Sequence, residues 1–197
     1  MRILVLMKRF GANKDMPLQD FGRQIRLFEN LKGHKIDFLC ADFRKLESKK
    51  MSRKGIDYYI EPLGIFNFYK FLKKINDLIK TKNYDLIVAS TSPIIGIVGY
   101  HYSKKNKIPM LYDLQDSFDG YDEYKIPFVR YLDGYTTKNC DLVVCVSQTL
   151  KKRVESFRTK PTYVIENGIE SDIFKPLDKL KCRKKLKLPL NAKIIVY

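Results

Sequence analysis

Short apolar runs recur along this chain, and most are separated by stretches with helical spacing. Ile3–Met7, Ile36–Cys40, Asp57–Ile60, "YDLIVAS", "MLYDLQD", "CDLVVCVS" and Thr162–Ile165 all read as strands. Runs that are apolar at consecutive positions, rather than at every second one, suit parallel strands covered on both faces. Between them, apolar residues return every three or four positions. Leu18, Phe21, Ile25, Phe28 and Leu31 form one such series, which Gly33 closes as a helix cap. Phe68, Phe71, Leu72, Ile75, Leu78 and Ile79 form another, interleaved with Lys70, Lys73, Lys74 and Lys80. Ser92-Pro93 opens a helix to about Lys105, and further helices are expected over Phe128–Lys138 and Gln148–Phe157, the last capped by Ser147. Strands alternating with helices in this way specify an α/β fold, a doubly wound and mostly parallel sheet of Rossmann-like type. Arg44–Lys54 is polar and basic and reads as an excursion.

The 197 residues are enough for one full domain and a little more. The apolar runs fall far short of the roughly 20 residues that cross a bilayer. The opening "MRILVLMKRF" reads as a first strand rather than a signal segment, since its run is short and Lys8 and Arg9 follow it. Cys40, Cys140, Cys145 and Cys182 are scattered without a C-x-x-C pair, and His34 and His101 are isolated. These point to a reduced, cytoplasmic protein with no metal site. The net charge of +16 implies an anionic partner: membrane lipid, nucleic acid or a phosphorylated small molecule. A solvated, lysine-rich surface is the plainer alternative.

In an open α/β sheet the ligand site lies beyond the carboxyl ends of the strands, so the strand exits are the candidates. After the first strand comes Gly11, where a missing side chain lets backbone approach a ligand and a helix N-terminus favours an anion. No GxGxxG is present, so NAD binding is not supported. After the fourth comes Ser90-Thr91-Ser92, residues placed to cap the helix or to bond a sugar hydroxyl. After the fifth comes Asp113-Leu114-Gln115-Asp116, the most polar exit in the chain.

Four segments, in order and spacing, carry a family resemblance: "GHKIDFL", "DLQD", "CDLVVCVS" and "VIENGIESDIFKP". Together they resemble the N-terminal, acceptor-side domain of glycosyltransferase family 4, the retaining enzymes of the two-domain GT-B fold. The last segment is similar to the family's "IPNGVD…FxP" crossover between domains. The resemblance implies a first domain over residues 1–176. Residues 177–197 are then a linker, with a basic helix and a strand at 193–197 entering a truncated donor-binding domain.

It also implies transfer of a sugar from a nucleotide-diphosphate donor to a hydroxyl acceptor, lipid-linked acceptors and cell-surface polysaccharide included, without a cofactor or metal. This fragment alone is expected to be inactive. Where the family commonly has a histidine or arginine facing the sugar, this chain has Gln115, which hydrogen-bonds but cannot carry charge or shuttle a proton. Asp116 matches the family aspartate. Ser147 matches the family "xxVS" serine, and Asn167 and Gly168 lie at the interdomain crossover. The helix Phe68–Lys82, the 44–54 loop and the tail are candidate faces for anionic lipid, which implies a cytoplasmic protein peripheral on the inner face of the membrane. No nucleic acid is expected, since no aromatic RNA-binding motif is present. Two alternatives remain open: a stand-alone basic Rossmann-like module binding lipid or RNA, and a sugar-nucleotide epimerase of the same fold.

Overall fold

The structure, a computed structural model, describes residues 1–64 and 66–195. Two compact units make up the chain, Met1–Asn167 and a smaller one beginning at Gly168.

The first unit is built on an eight-stranded sheet. Its strands in chain order are β1 (Arg2–Lys8), β4 (Lys35–Asp42), β5 (Lys49–Arg53), β6 (Ile56–Pro62), β7 (Leu86–Ser90), β8 (Met110–Leu114), β9 (Leu142–Cys145) and β10 (Thr162–Val164). A two-stranded hairpin, β2 (Phe10–Gly11) and β3 (Lys14–Asp15), follows β1. The order across the large sheet is β10-β9-β8-β7-β1-β4-β6-β5, parallel throughout except for β5. The helices are α1 (Arg23–Glu29), α2 (Phe68–Lys82), α3 (Pro93–Asn106), α4 (Val129–Asn139) and α5 (Gln148–Glu155).

Alternation along β1 shows why its run is uninterrupted. Leu4 and Leu6 pack with Phe71, Ile75, Ile95 and Val154 on one face, while Ile3, Val5 and Met7 pack with Ile25, Phe38 and Tyr58 on the other. Both faces are interior, so every position is apolar. The doubly wound parallel sheet and all seven expected strands are present.

Close packing also explains Gly96 in α3. A Cβ there would lie 2.3 Å from the hydroxyl of Tyr112, which is itself fully buried. Gly96→Ala is therefore expected to destabilise the fold by about 1–3 kcal/mol through overpacking. Urea denaturation measures this, and an unchanged midpoint would show that Tyr112 has room to move.

Three local expectations are corrected. The first helix does not begin near Leu18, because Gly22 sits at φ 108, outside helical space, and α1 starts one residue later. Leu18 and Phe21 are about 40% exposed rather than part of a buried helical stripe. Asn30 caps that helix, while Gly33, at φ 79, turns the chain toward β4. Finally, part of the basic excursion is a strand: β5 pairs antiparallel with β6 at the sheet edge. Its lysines are typical of edges that resist further pairing.

In the second unit, α6 (Lys179–Lys185) has Asp178 as its cap, accepting from the Lys181 N–H at 2.7 Å. The buried Arg183 guanidinium donates to the carbonyls of Pro189 (2.9 Å), Leu190 and Ala192 (2.7 Å), folding the Leu-Pro segment back on the helix. Residues 193–195 have no strand pairing, and the rest of the strand expected at 193–197 lies outside the described residues.

Candidate functional site

The sheet order reverses at β1. The chain builds outward through β4 and β6, then returns to place β7 on the other side of β1. Crevices at such a switch point, beyond the strand carboxyl ends, are where doubly wound sheets bind ligands. The side chains there come from the exits of β1, β7 and β8.

Lys8 ends β1, and its N–H donates to Thr91 Oγ1 at 2.7 Å. Thr91 stands at φ 74, a left-handed conformation that a β-branched residue rarely adopts. Strain of this kind costs on the order of 1–3 kcal/mol and gathers at functional sites. The Lys8 ammonium lies 2.5 Å from Glu123 Oε1, with the rings of Tyr121 and Phe43 nearby. Ser92 is the N-cap residue of α3, yet its hydroxyl makes no capping bond and instead reaches Glu123 Oε1 at 3.4 Å. A cavity of about 380 Å³ opens beside this pair, with Phe10, Phe43, Arg44 and Ile94 among its walls.

A second, more buried cluster sits at the β8 exit. Ser90 Oγ donates to Asp113 Oδ2 at 3.0 Å. The Gln115 amide nitrogen is 2.9 Å from Asp113 Oδ2, 2.9 Å from Gln24 Oε1 and 2.8 Å from Ser90 Oγ. Facing a carboxylate, this must be the NH2 end of the side chain, since an oxygen there would be repelled. Its two N–H donors are thereby spent, leaving Oε1 as the acceptor of this side chain. Arg23, in the first turn of α1, reaches Asp113 Oδ1 at 3.3 Å and donates to the Glu166 carbonyl at 2.9 Å. Its Nε is buried without a hydrogen-bond partner among the described residues.

Gln115 thus stands at the centre of a network, whereas Asp116 is exposed and accepts from the Ser117 N–H at 2.8 Å, shaping its own loop. Ser147 caps α5, accepting from the Leu150 N–H at 3.2 Å. Gly11 lies in the hairpin after β1, where the atom closest to its open side is Met16 Sδ. Asn167 ends the first unit and Gly168 opens the second, both exposed. Sequence reasoning named Thr91 at the fourth strand exit but missed Lys8, Arg23, Gln24 and Glu123. The strand-exit rule applies to Lys8 as much as to Gln115. Arg23 and Gln24 were concealed by counting Leu18 and Phe21 into the helix, which hides the first turn.

Further along the β8 exit, a cavity of about 530 Å³ runs between α4 and α5, from Leu114 and Asp116 to Tyr131, Tyr135 and Phe157. In its wall Asp133 accepts from the hydroxyls of Tyr112 and Tyr124, each at 2.6 Å. Burial pushes this carboxyl above its ordinary range, against the two hydroxyls that favour its charged form.

The sequence model of Glycosyltransferase Family 4 matches residues 26–173, three quarters of the chain. The chain belongs to glycosyltransferase family 4. Solved structures with the same fold include a sucrose-phosphate synthase from Thermosynechococcus elongatus, 12% identical over 85% of this chain and 90% of that one, with a TM-score of 0.57. An E. coli trehalose-6-phosphate protein bound with UDP-2-fluoro glucose matches 95% of this chain at 12% identity and a TM-score of 0.56. A UDP-GlcNAc 2-epimerase from Methanocaldococcus jannaschii matches 79% at 14% identity and a TM-score of 0.52. At these identities the likeness is one of fold. The family 4 chain spans 54% of the E. coli protein and 42% of the epimerase. No curated protein matches it by sequence.

Proposed function

We propose that this family 4 chain is the acceptor-side half of a retaining glycosyltransferase. The enzyme would move a sugar from a nucleotide-diphosphate donor to a hydroxyl acceptor. The observation that carries the reading is the convergence of Lys8, Thr91, Ser90, Asp113 and Gln115 at the switch point of the sheet. Gln115 Oε1 accepts from a sugar hydroxyl. The Lys8–Glu123 pair and the aromatic walls of its cavity suit a polyhydroxylated acceptor, whose hydroxyls both donate and accept. Arg23 adds a buried positive charge toward the side where a diphosphate departs, a role that fixed donors fill by stabilising the charge that develops there.

Donor binding is assigned mainly to a second domain that residues 177–197 enter, with 1–176 as the first. The nucleotide-sugar ligand of the E. coli relative, and this chain's span of about half that protein, support the assignment. Ser92, Ser147, Gly11, Asn167 and Gly168 are proposed as secondary substrate contacts. Asp116 is proposed to hold the loop beside the reacting sugar, and no metal is proposed to take part. The proposed setting is the cytoplasm, peripheral to the inner face of the membrane. No helix among the described residues is long and apolar enough to cross a membrane.

The epimerase reading gains a fold neighbour but lacks a suitable set of groups. His34 lies before β4, at the opposite end of the strands from the site, and His101 is exposed on α3.

The test is a screen of nucleotide sugars on the full-length protein that contains this chain, with the product anomer read by NMR. Acceptor-dependent transfer with retention, unaffected by a chelator and absent with residues 1–197 alone, is the expected result. Donor epimerisation without an acceptor would instead establish the second reading.

A further inference from the structure

We infer that Asp133 is a positioning residue: through the Tyr124 hydroxyl it sets Glu123 against Lys8 in the wall of the 380 Å³ cavity. Asp133 lies on the core side of α4 and is 4% exposed. Each of its oxygens accepts from one tyrosine, Oδ1 from Tyr112 and Oδ2 from Tyr124, both at 2.6 Å. Burial raises the pKa of both phenols, so each keeps the proton that it donates. A carboxylate costs far more to bury than an apolar side chain of its size, and a helix that had only to pack on β8 has no need of one. What the carboxylate adds is direction, two short bonds aimed at two different elements.

Those elements differ in how firmly they are held. Tyr112 is fully buried in β8, between β7 and β9. Tyr124 belongs to a short helical turn, Asp122–Lys125, none of whose residues is buried. The backbone bonds of the turn are local, from the Tyr124 N–H to the Tyr121 carbonyl and from the Ile126 N–H to the Glu123 carbonyl. Its Asp122–Lys125 ion pair is internal as well. Among the described residues, the side-chain hydrogen bonds and ion pairs that tie this turn to the rest of the unit are therefore few. Tyr124 donates to Asp133, and Glu123 meets Lys8 and Ser92. The Tyr124 ring also packs edge-on against Phe118, a contact that constrains distance more than direction.

Tyr124 and Glu123 are neighbours in the chain, so fixing the first aims the second. Residues of the same turn line both cavities, Tyr124 the larger, and Asp122 and Glu123 the smaller. A path of contacts thus runs from the sheet at Tyr112 through Asp133 and Tyr124 to Glu123 and the Lys8 ammonium. Its consequence for turnover rests on the acceptor role proposed above for the smaller cavity.

The test compares the two arms of the carboxylate in the full-length protein. Tyr124→Phe and Tyr112→Phe each delete one oxygen and leave Asp133 one hydroxyl, so both are expected to lower the melting temperature. Lysine acetylation by acetic anhydride, read residue by residue in a mass spectrometer, separates them, because an amine held by a carboxylate acylates slowly. Glu123→Gln calibrates the readout: Lys8 is expected to label about threefold faster, the factor carried by loss of a partly exposed ion pair. Tyr124→Phe is expected to match that rate, and Tyr112→Phe to keep the wild-type one. Lys82, paired to Asp37 at the opposite end of the strands, is expected to be unchanged throughout.

An unchanged Lys8 rate in Tyr124→Phe overturns the inference. So does an unchanged rate in Glu123→Gln, which would show that Glu123 does not hold Lys8. Equal acceleration by both tyrosine variants, or of Lys82 together with Lys8, overturns it in favour of a carboxylate that only holds the fold. Tyr124→Phe is also expected to raise the acceptor KM about threefold with kcat nearly unchanged, as for lost binding alone. Labelling needs no donor or acceptor, so the two readings fail separately. Faster Lys8 labelling with an unchanged acceptor KM upholds the positioning and removes the cavity from the acceptor site.

Discussion

Arg9→Met is expected to cost the fold about 3–5 kcal/mol, the loss typical of breaking a buried ion pair from one side. Arg9 follows β1 directly and is fully buried, and its backbone N–H donates to the Ala41 carbonyl at 2.8 Å. Its guanidinium lies 2.9 Å from Asp15, 3.0 Å from Asp42 and 2.5 Å from Glu47. Asp42 has no solvent exposure. Burial alone would push its carboxyl up. The backbone N–H groups of Arg44, Lys45 and Glu47, together with the Arg9 charge, outweigh that and hold it below the ordinary range. A carboxylate whose pKa is depressed in the folded state contributes stability above its unfolded pKa, near 4. That contribution fades as pH falls through the folded value.

Wild-type chain should therefore lose stability on acidification below about pH 4. Arg9→Met should be destabilised already at neutral pH. Arg9→Met with Asp42→Asn should recover part of the loss, since the most buried charge is then gone. Urea titrations of the three proteins at neutral and acid pH decide the matter, and a neutral-pH loss under about 1 kcal/mol would mean that Asp42 is satisfied by backbone alone. The result bears on the site, because the loop held by Asp42 presents Phe43 and Arg44 to the cavity beside Lys8.

What the sequence displayed and what it hid follow from the same physics. The parallel strands were legible because burial on both faces removes polar residues from consecutive positions, as in Ile3–Met7. The edge strand β5 was not, since an edge requires charge where pattern recognition looks for apolar residues. At the site, Gln115 was legible from its place after a strand. Its role as a fixed amide was not, because Gln24, Ser90 and Asp113 come to it from three separate elements. Ser92 illustrates the limit most plainly. Its place before Pro93 made it the N-cap residue of α3, which it is. Yet its hydroxyl turns to Glu123, a partner that sequence proximity gives no reason to expect.

Gln115→Ala in the full-length enzyme is expected to lower turnover at least about tenfold, equivalent to about 1.4 kcal/mol of transition-state stabilisation. The stability loss should be smaller, about 1 kcal/mol, since Asp113 keeps Ser90 at 3.0 Å and Arg23 at 3.3 Å. An amide does not titrate near neutrality, so the alanine variant should keep the shape of the wild-type pH profile while losing height. Gln115→Glu should behave differently. It sets a second carboxylate where Nε2 now lies 2.9 Å from Asp113 Oδ2. Two carboxylates so close cannot both ionise easily, so the pair holds one proton to higher pH than either alone. The protonated form restores an O–H donor where the amide N–H stood, so turnover should rise as pH falls through that shared titration. An acid-shifted optimum in Gln115→Glu, with the unshifted profile of Gln115→Ala, would place the residue in the working site. Full wild-type turnover in both variants would remove it from the site.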